Sequence, residues 1–187
     1  IILVGEPGHD ETIGTMGWAP GHIIRVFTVE EVENLEVPDP EKVAYVTQTT
    51  LSVDDCSRVI EALSKRFPKI VGPRSGDICY ATQNRQAAVN ALSSQVDLVL
   101  VVGDRASANS TRLAEVCLAK GIPAYLISSG EMIREEWLEG VESIVLTSGA
   151  SAPERLVQGV IEFFKSRGPC DVEEGEVVHE DVHFKLP

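Results

Sequence analysis

Short apolar runs alternate with stretches of helical periodicity along most of the chain. Residues 1–4, 24–29, 43–47, 98–102, 124–127 and 143–146 have the length and the β-branched, aliphatic content of buried strands. Between them lie amphipathic helices. In 52–67 the apolar positions Cys56, Val59, Ile60, Leu63 and Phe67 recur at about the 3.6-residue helical period. Ser52 followed by Asp55 reads as a capped start, and Pro68 stops the helix. In 153–167, Leu156, Val157, Val160, Ile161 and Phe164 share one face, with Pro153 suited to the first turn and Gly168 to the end. Weaker patterns predict helices over 109–120, with Leu113, Val116 and Cys117 on one side, and over 82–94.

Strands that alternate with helices predict parallel sheets with helices on their faces, the α/β class. The turn-forming stretch Gly72-Pro73-Arg74-Ser75-Gly76 divides the strand–helix units into two groups. The expected organisation is therefore two small three-layer parallel-sheet α/β domains, 1–75 and 76–168, followed by a tail, 169–187. The tail is acidic and ends in Val182-His183-Phe184-Lys185-Leu186, which reads as an added edge strand or a docking segment.

Composition narrows the partners. With 43% hydrophobic and 24% charged residues, the 187-residue chain has the make-up of an ordinary packed protein. Its net charge of −13 repels phosphate backbones and anionic lipid, so neither nucleic acid nor a membrane is an expected partner. Any anionic ligand needs a locally built site. The opening Ile1-Ile2-Leu3-Val4 is far too short for a membrane span or a signal-peptide core. A start inside that run, without Met, reads as a truncation. Cys56, Cys79, Cys117 and Cys170 form no CxxC pair, so neither a zinc ribbon nor a disulfide framework is expected, and a reducing cytoplasm fits.

In parallel α/β sheets, ligands bind at the carboxyl ends of strands, where loops lead into helix N-termini. The loops after four of the expected strands are small and polar: Gly8-His9-Asp10-Glu11, Gln48-Thr49-Thr50, Gly103 to Asn109, and Thr147 to Ser151. Their hydroxyls, amides and backbone N–H groups can hold a diphosphate with few cations. Thr50, Ser52, Asn109 and Ser151 can equally be simple helix caps. His9 and Glu11, two apart in one loop, pair an anion donor with a group that can shuttle protons. Cys79 stands just before a helix, in a setting suited to ligation or to an inert buried thiol. Cys56 and Cys117 fall on apolar faces, and Cys170 follows a helix end. His179 and His183 have a spacing seen at zinc sites, but no cysteine pair accompanies them.

The stretches Gly8 to Gly17, Gln48 to Asp55, Asp77 to Gln86, Val101 to Leu113 and Gly149 to Pro153 resemble, in order, the motifs of the LytB family of 4-hydroxy-3-methylbut-2-enyl diphosphate reductases. The resemblance implies a three-domain α/β architecture around a [4Fe–4S] cluster. It implies reductive loss of the substrate's hydroxyl, giving isopentenyl and dimethylallyl diphosphate, with reduced ferredoxin or flavodoxin as electron donor. On the matching positions, His9, Thr49, Thr50, Ser107, Asn109 and Ser151 would hold substrate, Glu11 with Thr49 would deliver protons, and Cys79 would ligate one iron. The family's N-terminal domain, with the remaining cluster cysteines, has no counterpart in this sequence, and this chain alone is expected to be inactive. Ala108 departs from the family's usual serine and removes one hydrogen bond to the diphosphate, about 0.5–1.5 kcal/mol. Two other readings compete. A truncated, non-catalytic diphosphate- or protein-binding module is one. A nucleotide-binding domain is the other, but neither G-x-G-x-x-G nor G-x4-G-K-[ST] is present.

Overall fold

The computed structural model describes residues 1–73, 77–175 and 177. The chain divides into two compact units, the first ending at Tyr80 and the second beginning at Ala81. Each is built on a three-stranded, fully parallel sheet flanked by helices, the α/β fold that the alternating pattern predicts.

In the first unit, β1 (Ile2–Val4) is the central strand, with β2 (Ile24–Val26) on one side and β3 (Tyr45–Thr47) on the other. All three β1 residues are buried, as a central parallel strand covered on both faces requires. Register places Val4 beside Val26 and Thr47, so the loops leaving β1 and β3 emerge side by side. The helix expected at 52–67 is α3 (Val53–Arg66): the Ser52 hydroxyl caps the Asp55 N–H, and Cys56, Val59 and Leu63 form the buried stripe. Asp54 and Asp55 in its first turn and Lys65 and Arg66 in its last complement the helix dipole.

The periodicity misses two elements here. The strand expected over 24–29 ends at Val26, because Thr28 opens α2 (Val29–Glu33) with a reciprocal capping box to Glu31. The segment expected as one loop, Gly8 to Glu11, instead enters α1 (Asp10–Trp18): His9 is its N-cap and Glu11 its second residue. This helix buries only Thr12, so it carries no apolar stripe to announce it.

In the second unit, β4 (Leu98–Val102) lies between β5 (Ala124–Ile127) and β6 (Ile144–Ser148). Every β4 residue is buried, its side chains alternating between two cores. Val99 and Val101 meet Val89 of α4 (Tyr80–Leu92) and Leu113 and Cys117 of α5 (Ala108–Ala119). Leu98, Leu100 and Val102 meet Val160 of α6 (Glu154–Arg167). Val102 pairs with Ser148, so the loops after β4 and β6 also leave together.

Of the four residues that could have been simple caps, only Ser52 is one: Ser107 caps α5, and the Pro153 N-cap of α6 has no side-chain bond. Residues 169–175 form no helix or strand. The expected terminal strand and the pair His179 and His183 lie outside the described residues, as do Arg74 to Gly76 of the expected interdomain turn.

Candidate functional site

At the carboxyl end of the first sheet, three chain segments converge. The β1 loop delivers His9 and then α1, the β3 loop delivers Gln48, Thr49 and Thr50, and residues 77–79 lie against the end of β3. His9 Nδ1 accepts the Glu11 N–H at 3.1 Å. A nitrogen that accepts cannot carry the proton, so the neutral ring is protonated at Nε2, where it is an outward donor suited to an anion. One oxygen of the Glu11 carboxylate accepts the Thr49 N–H at 2.9 Å, and the other accepts the Thr49 hydroxyl at 3.1 Å. These residues are thirty-eight positions apart in sequence. Glutamate and threonine are thereby held as a single polar unit at a strand end.

Beneath this pair sits Gln48, 1% exposed. Its Oε1 accepts from the Glu6 N–H at 2.9 Å and from the Thr12 hydroxyl at 3.3 Å, while its Nε2 donates to the Thr50 hydroxyl at 3.1 Å. That donation occupies a Thr50 lone pair and leaves its proton free to bind an acceptor. Gln48 thus joins the β1 loop, α1 and the β3 loop through one buried amide. Reading the sequence gives it no role, since a glutamine inside a polar loop carries no signal of burial.

Cys79 reaches the same strand end through its backbone: its N–H donates to the Thr49 carbonyl at 3.1 Å, and Asp77 accepts the Thr47 N–H at 2.8 Å. Its thiol is free and exposed, immediately before α4. The two buried thiols behave differently. Burial pushes Cys56 up to about 11 and raises Cys117 as well. Neither is poised as a thiolate ligand. Among the described residues no group of three or more His, Cys, Asp and Glu side chains could hold a metal ion. A free, exposed thiol just before a helix start has the chemistry to hold a single metal ion or one iron of a cluster.

The second unit carries its own polar end. Ser107 is the N-cap of α5, accepting from the Ser110 N–H at 3.4 Å and from the Ser110 hydroxyl at 3.1 Å. Asn109, 5% exposed in the first turn of α5, has neither side-chain nitrogen nor oxygen hydrogen-bonded. A buried amide left wholly unpaired costs on the order of 1–3 kcal/mol, which a bound polar ligand would recover. Ser151 is exposed in the turn after β6, where the Ala152 N–H donates to the Gly149 carbonyl at 3.0 Å. Arg85 of α4 secures that strand end: Nε donates to the Ser148 carbonyl at 3.1 Å and Nη1 to the Ala81 carbonyl at 3.0 Å. The structure thus gathers His9, Glu11, Thr49, Thr50 and Cys79 at one strand end of the first unit. Ser107, Asn109 and Ser151 stand on the loops and helix start at the corresponding end of the second.

The sequence model of the LytB protein family matches residues 1–165. The chain belongs to the LytB family. It is 50% identical to the 4-hydroxy-3-methylbut-2-enyl diphosphate reductase of Zymomonas mobilis, and 54% identical to that of Chromohalobacter salexigens. Both alignments cover all of this chain, but only 55% and 60% of those LytB relatives. A solved structure, the E-1-hydroxy-2-methyl-but-2-enyl-4-diphosphate reductase from Plasmodium falciparum, superposes with a TM-score of 0.81 at 40% identity. That superposition covers 86% of this chain and 51% of the Plasmodium chain. The curated LytB relatives named here are enzymes, and the family expected from the motifs is the family found. Among the described residues no helix is long and apolar enough to cross a membrane.

Proposed function

We propose that this chain supplies the proton-delivering and diphosphate-holding parts of a 4-hydroxy-3-methylbut-2-enyl diphosphate reductase. The observation that carries the proposal is the two-point bond between Glu11 and Thr49. Loss of a hydroxyl group as water needs an acid at the departing oxygen. A carboxyl group aligned by a backbone N–H and linked to a hydroxyl can hand its proton through that hydroxyl. In the balanced reaction the substrate's C–O bond breaks, the hydroxyl leaves as water, and two electrons and two protons are taken up. Glu11 supplies the proton to the leaving oxygen, with Thr49 relaying it. His9 donates from Nε2, and the Thr50 hydroxyl adds a second donor at the same sheet end.

In the second unit, the Ser107 and Ser151 hydroxyls, the Asn109 amide and the N-terminus of α5 form a neutral donor set for the diphosphate. That set suits an acidic chain, since it binds an anion without a cluster of lysines. Ala108 places a methyl group where the family's usual serine adds a donor, and binding is weaker by that one bond.

Cys79 is the residue that would hold a [4Fe–4S] cluster through one iron, with the other cysteine ligands coming from a portion of the relatives that this chain does not span. The cluster, when bound, supplies the electrons, which reduced ferredoxin or flavodoxin delivers. Free and exposed thiols fit a reducing cytoplasm.

The test is Glu11→Gln in the full-length protein, assayed anaerobically with a chemical reductant. General acid catalysis contributes about a hundredfold or more, so kcat falls by at least that factor while KM stays within a few-fold. Activity within about threefold of the parent would remove Glu11 from the chemistry and the proposal with it.

A further inference from the structure

Ser110 is buried to 1% exposure, and its hydroxyl is wedged between the ends of two strands. A Cβ added to Gly103, just after β4, would lie 2.3 Å from Ser110 Oγ. One added to Gly149, just after β6, would lie 2.0 Å from it. Both are far inside van der Waals contact, so the absence of a side chain at both positions is what admits Ser110. The two glycines are also tied into the sheet, Gly103 N–H to the Ile127 carbonyl and Gly149 N–H to the Val102 carbonyl, each at 2.9 Å. These bonds hold both glycines against Ser110.

From that fixed position Ser110 acts on Ser107. A serine oxygen has two lone pairs and one proton. On Ser107 the Ser110 N–H takes one lone pair and the Ser110 hydroxyl the other. With the Ser110 hydroxyl as the donor of that pair, the Ser107 proton is directed outward and Ser107 acts as a donor toward a ligand. Without Ser110 it could turn inward or accept from water, and its role toward an anion would be lost for part of the time. Beside it, the unpartnered amide of Asn109 needs a ligand that accepts and donates, or one whose water does.

We infer that Ser110 is a positioning residue for anion binding: wedged between Gly103 and Gly149, its hydroxyl saturates Ser107 and points the Ser107 proton at a phosphate oxygen. The inference rests on the reading of this unit as the diphosphate holder. It adds that Ser107 selects acceptor-only phosphate oxygens through a residue that does not itself touch the ligand.

The experiment is an NMR titration of the 187-residue chain with inorganic pyrophosphate, carried out on the parent, Ser107→Ala, Ser110→Ala and the double variant. Ser110→Ala is expected to weaken binding roughly three- to tenfold, the range of one hydrogen bond, and to have no further effect once Ser107 is alanine. A purely structural role would weaken binding equally in both backgrounds. Gly103→Ala gives a second route, because its methyl displaces the Ser110 hydroxyl while both serines remain. It should weaken binding similarly, and only where Ser107 is present. Multiplicative effects of the two serine substitutions, or unchanged binding in Ser110→Ala while Asn109→Ala weakens it, would overturn the inference and leave the diphosphate reading intact. A parent chain whose second-unit resonances ignore pyrophosphate would overturn that reading, and this inference with it.

Discussion

Replacing Gln48 by leucine keeps the approximate volume of a fully buried side chain and removes its whole hydrogen-bonding capacity. Three bonds go: those from the Glu6 N–H and the Thr12 hydroxyl, and the one to Thr50. The Thr50 hydroxyl is partly exposed and can turn to water, so its loss costs little. Thr12 is 2% exposed and the Glu6 N–H bond is part-buried, so each is deprived of an acceptor that solvent replaces poorly. At about 1–3 kcal/mol per buried group left unsatisfied, and less about 1 kcal/mol recovered by burying leucine, the net cost is about 3 kcal/mol. The assay is native-state hydrogen exchange of the β1 and β3 amides, Ile2–Val4 and Tyr45–Thr47. Their exchange by unfolding should accelerate roughly 150-fold, the equivalent of that free energy. Acceleration of less than about fivefold would refute the reasoning, because it would mean that Gln48 spans the three segments without stabilising their meeting.

Other consequences follow from the same geometry. Alkylation with iodoacetamide at neutral pH should label Cys79 and Cys170 and spare Cys56 and Cys117, which are buried and whose thiols burial holds upward; mass spectrometry reading four equal labels on folded protein would contradict this. Arg85→Met should destabilise the second unit by about 2 kcal/mol through the loss of two charge-assisted bonds to carbonyls, seen as faster exchange at β6 with β5 less affected. Asp97 accepts from the Ser143 hydroxyl and from the Glu142 and Ser143 N–H groups, and these bonds hold its carboxyl below the usual range. Its contribution is therefore present above the unfolded-state value, about 3.9, and is lost as pH falls through the lower folded value. The stability difference between the parent and Asp97→Asn should accordingly shrink in strong acid; a difference independent of pH down to about 2 would contradict the assignment.

What the sequence determined by itself was whatever is encoded locally. The helices α3 and α6 were legible because an apolar stripe at helical period and a stop at Pro68 or Gly168 lie within one window of chain. β4 was legible for the same reason, since burial on both faces leaves an unbroken aliphatic run. The capping box Thr28 to Glu31 was equally local, but the apolar Ile24–Val29 run obscured it. By contrast α1 offers no stripe: its Gly14 and Gly17 weaken helix propensity, and its one buried residue is a threonine. It is held by its cap and by bonds to Gln48 and Thr49 in the loop after β3, far along the chain.

The candidate site divides in the same way. The resemblance to the LytB motifs marked His9, Glu11, Thr49, Thr50, Cys79, Ser107, Asn109 and Ser151 as residues of interest, whereas polar loops at strand ends alone left each of them open to a simple capping or surface role. Only the tertiary structure decided that Glu11 and Thr49 form one bonded pair, that Gln48 lies buried beneath them, and that Ser110 fits between two glycines. Parallel pairing is the reason. It brings the ends of β1 and β3, and of β4 and β6, level with each other, so side chains from distant loops meet at distances that no local pattern in the sequence records.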